Sequence, residues 1–189
     1  METQIRNLIL LSVAGLLGIL LVTGGVWYLA YTSGFTAIAN DKYEIAMKYP
    51  KTWTAIKDPQ VNVPFAFSSP KESEMDTVLE NLNIAIQDLN PEMPLQEFVN
   101  VATNQMTVVF KNMTIVQSSP DKVAGFPAYR LVFETKEPDE AMILVVCFYR
   151  DTKAYTITYL AQTRSYKKYL GLVNTMRSEE HTSELQSQR

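Results

Sequence analysis

The chain has 189 residues, of which 47% are hydrophobic and 20% charged, and its formal net charge at pH 7 is −3. This length allows one membrane segment and one domain of ordinary size, and the balance of acidic and basic residues argues against a nucleic acid partner. One cysteine, Cys147, excludes an intrachain disulfide framework and a thiolate metal cluster.

An apolar stretch near the start of the chain predicts a membrane anchor. Residues 1–7 form a short segment, and residues 8–32 form the predicted transmembrane helix, whose core Leu8–Tyr28 carries no charge. About 21 residues at about 1.5 Å each give about 30 Å, which is enough to cross the hydrocarbon core. We therefore expect a single membrane span.

The charges beside this span predict which side of the membrane holds the rest of the chain. Arg6 lies just before the span, whereas the first charged residue after it is Asp41. By the positive-inside rule the domain is extracytoplasmic, in a periplasm, at the cell exterior or in a thylakoid lumen. A cleaved signal peptide is the alternative, because Ala37-Ile38-Ala39 has the form of a cleavage site, but the apolar run is longer than signal peptides usually contain.

Residues 33–42 are predicted to be a linker, and residues 43–176 the folded domain. Alternating apolar and polar residues predict three strands in the first part of this domain: Tyr43–Tyr49, Val63–Phe67 and Leu82–Ile86. The acidic segment Lys71–Glu80 lacks the spaced oxygen ligands and the glycine of a calcium loop. It is therefore interpreted as a solvated loop.

The next element is predicted to be an amphipathic helix. Apolar residues recur at helical spacing from Leu95 to Val109, directly after Pro94, which suits the start of a helix. Strand patterns return at Met113–Gln117 and at Tyr129–Phe133. The polar residues Ser118–Asp121 predict a turn between these two strands.

The stretch from Ala141 to Ala161 predicts a β-hairpin around which the domain is organised. Apolar residues occupy both faces of its first run, Ala141–Arg150, so this strand needs cover on both sides and is predicted to be central. In the second run the tyrosines and Ile157 alternate with threonines, which is typical of the next strand outward. Cys147 is interpreted as a buried small apolar residue.

A final helix is predicted from Tyr166 to Met176, because its apolar residues share one face. Residues 177–189 form a polar tail, and the run Arg177–Ser187 closely resembles the translation of a short-read sequencing adapter. We predict that this tail is foreign to the native gene and disordered, because it offers little apolar surface to pack. His181 lies in the tail and is given no functional role.

The order of the predicted elements indicates an α+β fold with a mostly antiparallel central sheet covered by helices, preceded by one N-terminal transmembrane helix. Short motifs at matching separations resemble the PsbP-like family: YEIAMKYPKTW, FSSP, ENLNIAIQDL, PLQEFVNVATNQM, VAGFPAYRLVFE and AYTITYLAQTRSYKKYLGLVNTM. The resemblance runs from about Tyr43 to Met176 and implies an α-β-α sandwich. It also implies that Tyr43–Trp53 forms the first strand and its turn, and that Gly125–Ala128 forms the turn before a central strand.

The same resemblance implies a role in binding proteins. The family includes the oxygen-evolving subunit of photosystem II, a nuclear factor that binds the GTPase Ran, and bacterial envelope proteins. We therefore expect a membrane-anchored module that docks on a larger envelope or photosynthetic membrane complex through an unknown protein partner. No cofactor is expected.

We also expect no catalytic activity and no catalytic, cofactor-binding or metal-binding residues, because the only histidine, His181, lies outside the domain. Two alternatives remain: a small-ligand-binding protein, or a hydrolase that uses carboxylates and some of the strand tyrosines. Those tyrosines are expected to be half-buried packing residues with hydrated hydroxyl groups. They are Tyr129, Tyr149, Tyr155 and Tyr159.

Overall fold

The computed structural model of the protein describes residues 34–74, 76, 79–89, 93–110, 112–136, 140–178 and 181–182. The strands are β1 (Phe35–Asn40), β2 (Ile45–Pro50), β3 (Thr54–Gln60), β4 (Val63–Ser68), β5 (Asn81–Asp88), β6 (Thr114–Val123), β7 (Phe126–Thr135), β8 (Ala141–Arg150), β9 (Lys153–Gln162) and β10 (His181–Thr182). The helices are α1 (Leu95–Val109) and α2 (Tyr166–Ser178). None of the helices described is long and apolar enough to cross a bilayer. The predicted transmembrane helix, residues 8–32, lies outside the described residues.

The strands form two sheets. The larger sheet has seven strands in the order β3-β4-β5-β9-β8-β7-β6, and the smaller one has three in the order β1-β2-β10. Every neighbouring pair in the larger sheet is antiparallel. The prediction of an α+β fold built on a mostly antiparallel sheet with two helices is therefore confirmed.

The predicted hairpin lies in the interior of the larger sheet, but the position of its second strand in the strand order differs from the prediction. β8 is buried on both faces, as its apolar pattern predicts. The half-polar strand β9 was expected one position outward, yet it is the fourth of seven strands and hence the middle one. Its alternation therefore reflects a difference in cover between the two faces of the sheet, and not a position near the edge.

One face of the larger sheet carries most of the buried side chains. Val132, Leu144, Tyr159 and Leu82 are register partners across four adjacent strands, and all four are buried. Helix α2 contacts β9 on this face and also contacts β2 of the smaller sheet. The ring of Tyr166 stacks on Tyr159 with 5.4 Å between centroids, which fixes the start of α2 against the middle strand.

Among the elements that the structure describes, only α1 packs on the opposite face, and it covers part of it. Helix α1 packs on β7 and β8, where Phe98 and Val99 meet a cluster that includes Phe133 and Val145. Towards β9, β5 and β4 the residues of this face become small, polar and half-buried. We call this half-buried part the open face, and it consists of Ala66, Ser68, Asn81, Asn83, Thr156 and Thr158.

Several sequence-based boundaries need correction. The predicted linker, residues 33–42, contains β1, and β3 lies between two predicted strands. The predicted turn at Ser118–Asp121 is instead part of β6, where Pro120 pairs with Tyr129 of β7. β6 is an edge strand, and an edge tolerates a proline because one side of its backbone needs no ladder partner.

The end of the chain also differs from the prediction of a disordered tail after Met176. Helix α2 continues through Ser178, and Arg177 forms an ion pair with Asp121 at 2.6 Å between Nη1 and Oδ2. His181 and Thr182 form the short strand β10, which pairs with Ala46 and Ile45 of β2. The foreign origin of residues 177–189 stays a prediction.

Candidate functional site

A polar cavity of about 360 Å³ lies between the β4–β5 connection and the N-terminal end of α2. This volume falls in the range of small-molecule sites, about 300 to 1,000 Å³. The residues that line it carry carboxylate, hydroxyl, amide, guanidinium and ammonium groups: Glu72, Ser73, Asp76, Glu80, Gln162, Arg164, Ser165 and Lys168.

Glu80 is the most deeply buried acid of the cavity, with 2% of its surface exposed. Its Oε2 accepts a hydrogen bond from the Ser69 hydroxyl at 2.7 Å, and its Oε1 accepts one from the Ser165 hydroxyl. Ser165 directly precedes α2, and its carbonyl accepts a hydrogen bond from the Lys168 N–H at 2.9 Å. The carboxylate therefore lies at a helix N-terminus, where unpaired N–H groups favour negative charge.

Asp76 is the second buried acid, with 7% of its surface exposed. Its Oδ2 accepts a hydrogen bond from the Glu72 N–H at 3.0 Å. The segment Lys71–Glu80 was predicted to be a solvated loop, so the burial of Asp76 and Glu80 corrects that prediction. Glu80 directly precedes β5 and alternates in the sequence with the same positions as the buried residues Leu82 and Ile84. Because every second side chain of a strand lies on the same face, this alternation predicts that the Glu80 side chain points inward.

Glu72 closes one side of the cavity. Its Oε1 accepts hydrogen bonds from Lys168 Nζ at 2.6 Å and from the Tyr169 hydroxyl at 2.7 Å. The bond from Lys168, with that from Tyr169, lowers the pKa of Glu72, and the same bond raises the pKa of Lys168. Tyr169 packs edge-on against Trp53, so this polar cluster is tied to the core.

The charges of the cavity are divided between its interior and its rim. Three carboxylates against two cations leave the lining with a formal charge of −1. Lys168 pairs with Glu72, and Arg164 donates from Nε to Gln162 Oε1 at 2.7 Å. Within the described part of the chain, neither Asp76 nor Glu80 forms an ion pair. Both buried acids are thus satisfied by neutral donors only.

A second candidate site is an exposed apolar surface on α1 and the start of β6. Val108 is 81% exposed and Val109 is 70% exposed, although both are large apolar residues. No charged residue lies between Phe98 and Phe110. We call this the valine surface, and it consists of Val101, Val108, Val109, Ile115 and Val116.

The tyrosines considered for catalysis divide into two groups. Tyr129 and Tyr149 are half-buried as expected, and the Tyr149 hydroxyl donates to the Met93 carbonyl at 3.2 Å. Tyr155 and Tyr159 are instead fully buried, which corrects the expectation of hydrated hydroxyls. Burial, with a smaller contribution from the charge of Glu80, raises the pKa of Tyr159.

The comparisons with known proteins identify the fold. Cyanobacterial PsbP from Synechocystis sp. PCC 6803 matches with a TM-score of 0.61 and 16% identity, over 79% of this chain and 92% of that one. The Ran-binding protein Mog1p of Saccharomyces cerevisiae matches with a TM-score of 0.58 and 9% identity, over 80% and 97%. LpqN, involved in cell envelope biogenesis of Mycobacterium tuberculosis, matches with a TM-score of 0.54 and 9% identity, over 77% and 83%.

At these identities the structural matches show a shared fold and no shared activity. No curated protein matches the chain by sequence. A family model described as PsbP does match, over residues 33–178. This range contains both helices and both candidate sites. The chain therefore belongs to the PsbP family.

Proposed function

We propose that this chain is a membrane-anchored, extracytoplasmic binding module without catalytic activity, which docks on a larger envelope or photosynthetic membrane complex. Family membership supports a binding role, because the similar structures include a Ran-binding protein and a protein involved in cell envelope biogenesis. The observation that carries the proposal is the valine surface. Large apolar side chains that stay exposed and follow closely in the chain, as Val108 and Val109 and then Ile115 and Val116 do, are typical of a protein contact.

The chemistry of the valine surface defines the partner. Full burial of a valine side chain is worth about 1.5 kcal/mol, so covering Val108 and Val109 favours association. The segment from Phe98 to Phe110 contains no charged side chain, so a partner that binds it has no charge to desolvate there. From Phe98 to Val116 the sequence contains one charged residue, Lys111, so a highly charged partner surface would lose its own hydration there and meet few opposite charges. The partner is therefore an apolar, uncharged surface of a protein.

The anchor and its orientation rest on the uncharged run Leu8–Tyr28 and on Arg6 before it. Protease added to intact spheroplasts is expected to digest the domain together with a periplasmic control protein. Protection of the domain while that control is digested would reverse the orientation. Release of the chain by carbonate would instead indicate cleavage after Ala39.

Affinity capture of the full chain from solubilised native membranes tests the docking surface. Val108→Lys places a charge on the valine surface, and Val61→Lys is its matched control, because Val61 is 86% exposed but lies in the β3–β4 turn. The control and the wild-type chain are expected to capture the same partner, whereas Val108→Lys loses about tenfold in affinity. Equal capture by both variants would exclude the valine surface as the contact.

Small-ligand binding is the second candidate function, and the polar cavity beside α2 favours it. A hydrolase is less favoured, because the buried strand tyrosines are engaged in packing. The Tyr159 hydroxyl donates to the Tyr166 carbonyl at 3.2 Å, and burial raises its pKa, so it is a poor proton donor near neutral pH.

A further inference from the structure

We infer that the polar cavity beside α2 binds a small zwitterion, a molecule with a primary ammonium group and an acidic group. This inference goes beyond the proposed docking function and concerns different residues. It rests on how the cavity separates its charges, with two carboxylates in the interior and a guanidinium at the rim.

Among the described residues, none places a positive charge in the interior of the cavity beside Asp76 and Glu80. Asp76 and Glu80 are both more than nine-tenths buried, and their hydrogen-bond donors are two hydroxyl groups and one backbone N–H. A buried carboxylate without an opposite charge is costly, even where neutral donors satisfy its oxygens. A primary ammonium group supplies both a positive charge and three N–H donors, so it matches this end of the cavity.

The rim of the cavity offers a cation for the other end of the ligand. Lys168 is already held by Glu72, but Arg164 is exposed and uses only its Nε, in the bond to Gln162. Within the described residues its two terminal nitrogens make no hydrogen bond. A guanidinium presents these nitrogens as a planar fork that fits a carboxylate or a phosphate.

The same charges disfavour simpler ligands. An anion alone would meet Asp76 and Glu80, and a cation alone would meet Arg164 at the entrance. Among the described residues, no group of three or more acids, histidines or cysteines is arranged to hold a metal ion. About 360 Å³ corresponds to about twelve water volumes, which is enough room for an amino acid or a headgroup of similar size.

Two sources supply this chemistry, a free amino acid and the headgroup of an aminophospholipid. Titration calorimetry on the detergent-solubilised full chain covers the first, with glycine and O-phosphoethanolamine as probes and methylamine and acetate as single-charge controls. Vesicles of phosphatidylethanolamine cover the second, with phosphatidylcholine as the control, because its quaternary ammonium carries no N–H donor. Binding to the soluble probes alone assigns a free ligand, and preference for phosphatidylethanolamine vesicles assigns a lipid headgroup.

Paired variants locate the binding. Asp76→Asn removes an interior charge, and Glu74→Gln is its control, since Glu74 is exposed in the same connection and does not line the cavity. Arg164→Gln removes the rim cation, and Lys167→Gln is its control on the exposed side of α2. Asp76→Asn and Arg164→Gln are each expected to weaken zwitterion binding about tenfold, whereas both controls bind as the wild-type chain does.

Three results would overturn the inference. They are the absence of binding by any zwitterionic probe at about 1 mM, equal affinity for zwitterions and single-charge controls, or wild-type binding by both cavity variants. Val108→Lys separates this site from the docking surface. We expect it to bind the zwitterion with wild-type affinity even where it no longer captures the protein partner.

Discussion

Val145 and Thr158 are direct register partners across β8 and β9, yet Val145 is buried and Thr158 is half-exposed. Both lie on the face that carries α1. The helix packs on β7 and β8 and covers Val145, but its cover does not extend over Thr158. At Thr158 the middle strand is therefore less buried on this face than on the opposite one, and substitutions on its two faces should differ in cost.

The first prediction compares these faces. Val146 and Ile157 are register partners in a buried apolar layer, so Val146→Asp removes a packed side chain and buries a carboxylate, and the attraction of its other register neighbour, Arg130, does not offset the cost of desolvating that charge. We expect a loss of about 4 kcal/mol or more and an insoluble product. Thr158→Asp, on the open face, should stay soluble and lose about 1 kcal/mol or less. A soluble Val146→Asp chain with an unchanged melting temperature would contradict this.

The second prediction concerns the end of α2. A chain ended at Ser178 should unfold with a free energy within about 0.5 kcal/mol of the full chain. A chain ended at Met176 also loses Arg177 and its ion pair with Asp121, in which both side chains are mostly shielded from water. We expect it to lose about 1 to 2 kcal/mol in chemical denaturation. A similar loss on ending at Ser178 would show that the pairing of β10 with β2 contributes to stability.

The third prediction is a pH dependence of stability. Burial alone would raise the pKa of Asp121, but the hydrogen bonds from Arg177 and from the Lys122 N–H lower it overall. A depressed pKa in the folded state stabilises the fold above the unfolded-state pKa, about 3.9, and this stabilisation is lost as the pH falls through the folded-state pKa. When the pH is lowered from about 5 to the point where the protein unfolds, Asp121→Asn should therefore lose less stability than the wild-type chain.

Denaturation curves at a series of acidic pH values measure this difference. Arg177→Gln is the matched variant, because it removes the donor and leaves the carboxylate in place. It should reduce the pH dependence in the same direction as Asp121→Asn. If the stability of both variants depended on pH as that of the wild-type chain does, the ion pair would not contribute to the pH dependence of stability.

The fourth prediction concerns Cys147, which is buried in β8 against the α1 cluster. Burial raises the pKa of its thiol to about 11. Since the thiolate is the reactive form, about a thousandth of the thiol is ionised near pH 8, and access is closed as well. Iodoacetamide should leave the folded chain unmodified and should label Cys147 in denaturant. Rapid labelling of the folded chain would place this thiol at the surface.

The fifth prediction is that residues 177–189 are foreign to the native gene. The adapter-like run Arg177–Ser187 motivates it. Amplification of the locus from source DNA is the direct measurement, and the reading frame is expected to depart from this sequence after Met176. A genomic frame that continues through His181 and Gln186 would restore the tail as native sequence and, with it, the Arg177–Asp121 ion pair.

The spacing of apolar residues in the sequence was sufficient to predict helix α1 and the hairpin of β8 and β9. The bounds of α1 follow from the spacing of apolar residues between Leu95 and Val109, and the hairpin follows from two β-prone runs around Asp151–Lys153. The burial of β8 on both faces also follows from its composition, because apolar side chains on both sides of a strand must both be removed from water. These features depend on residues close together in the chain.

Other features depend on partners distant in the chain, and only the tertiary structure decided them. β6 runs through Ser118–Asp121 because β7 supplies a ladder partner for residues whose own preference is a turn. Thr156 and Thr158 lie half-buried in the middle strand of the sheet, so their alternation with buried residues does not indicate an outer strand. Glu80 is buried because Ser165, which precedes α2 far along the chain, donates a hydrogen bond to it there. A sequence pattern shows which side chains avoid water, whereas burial of a polar one depends on which distant donors reach it.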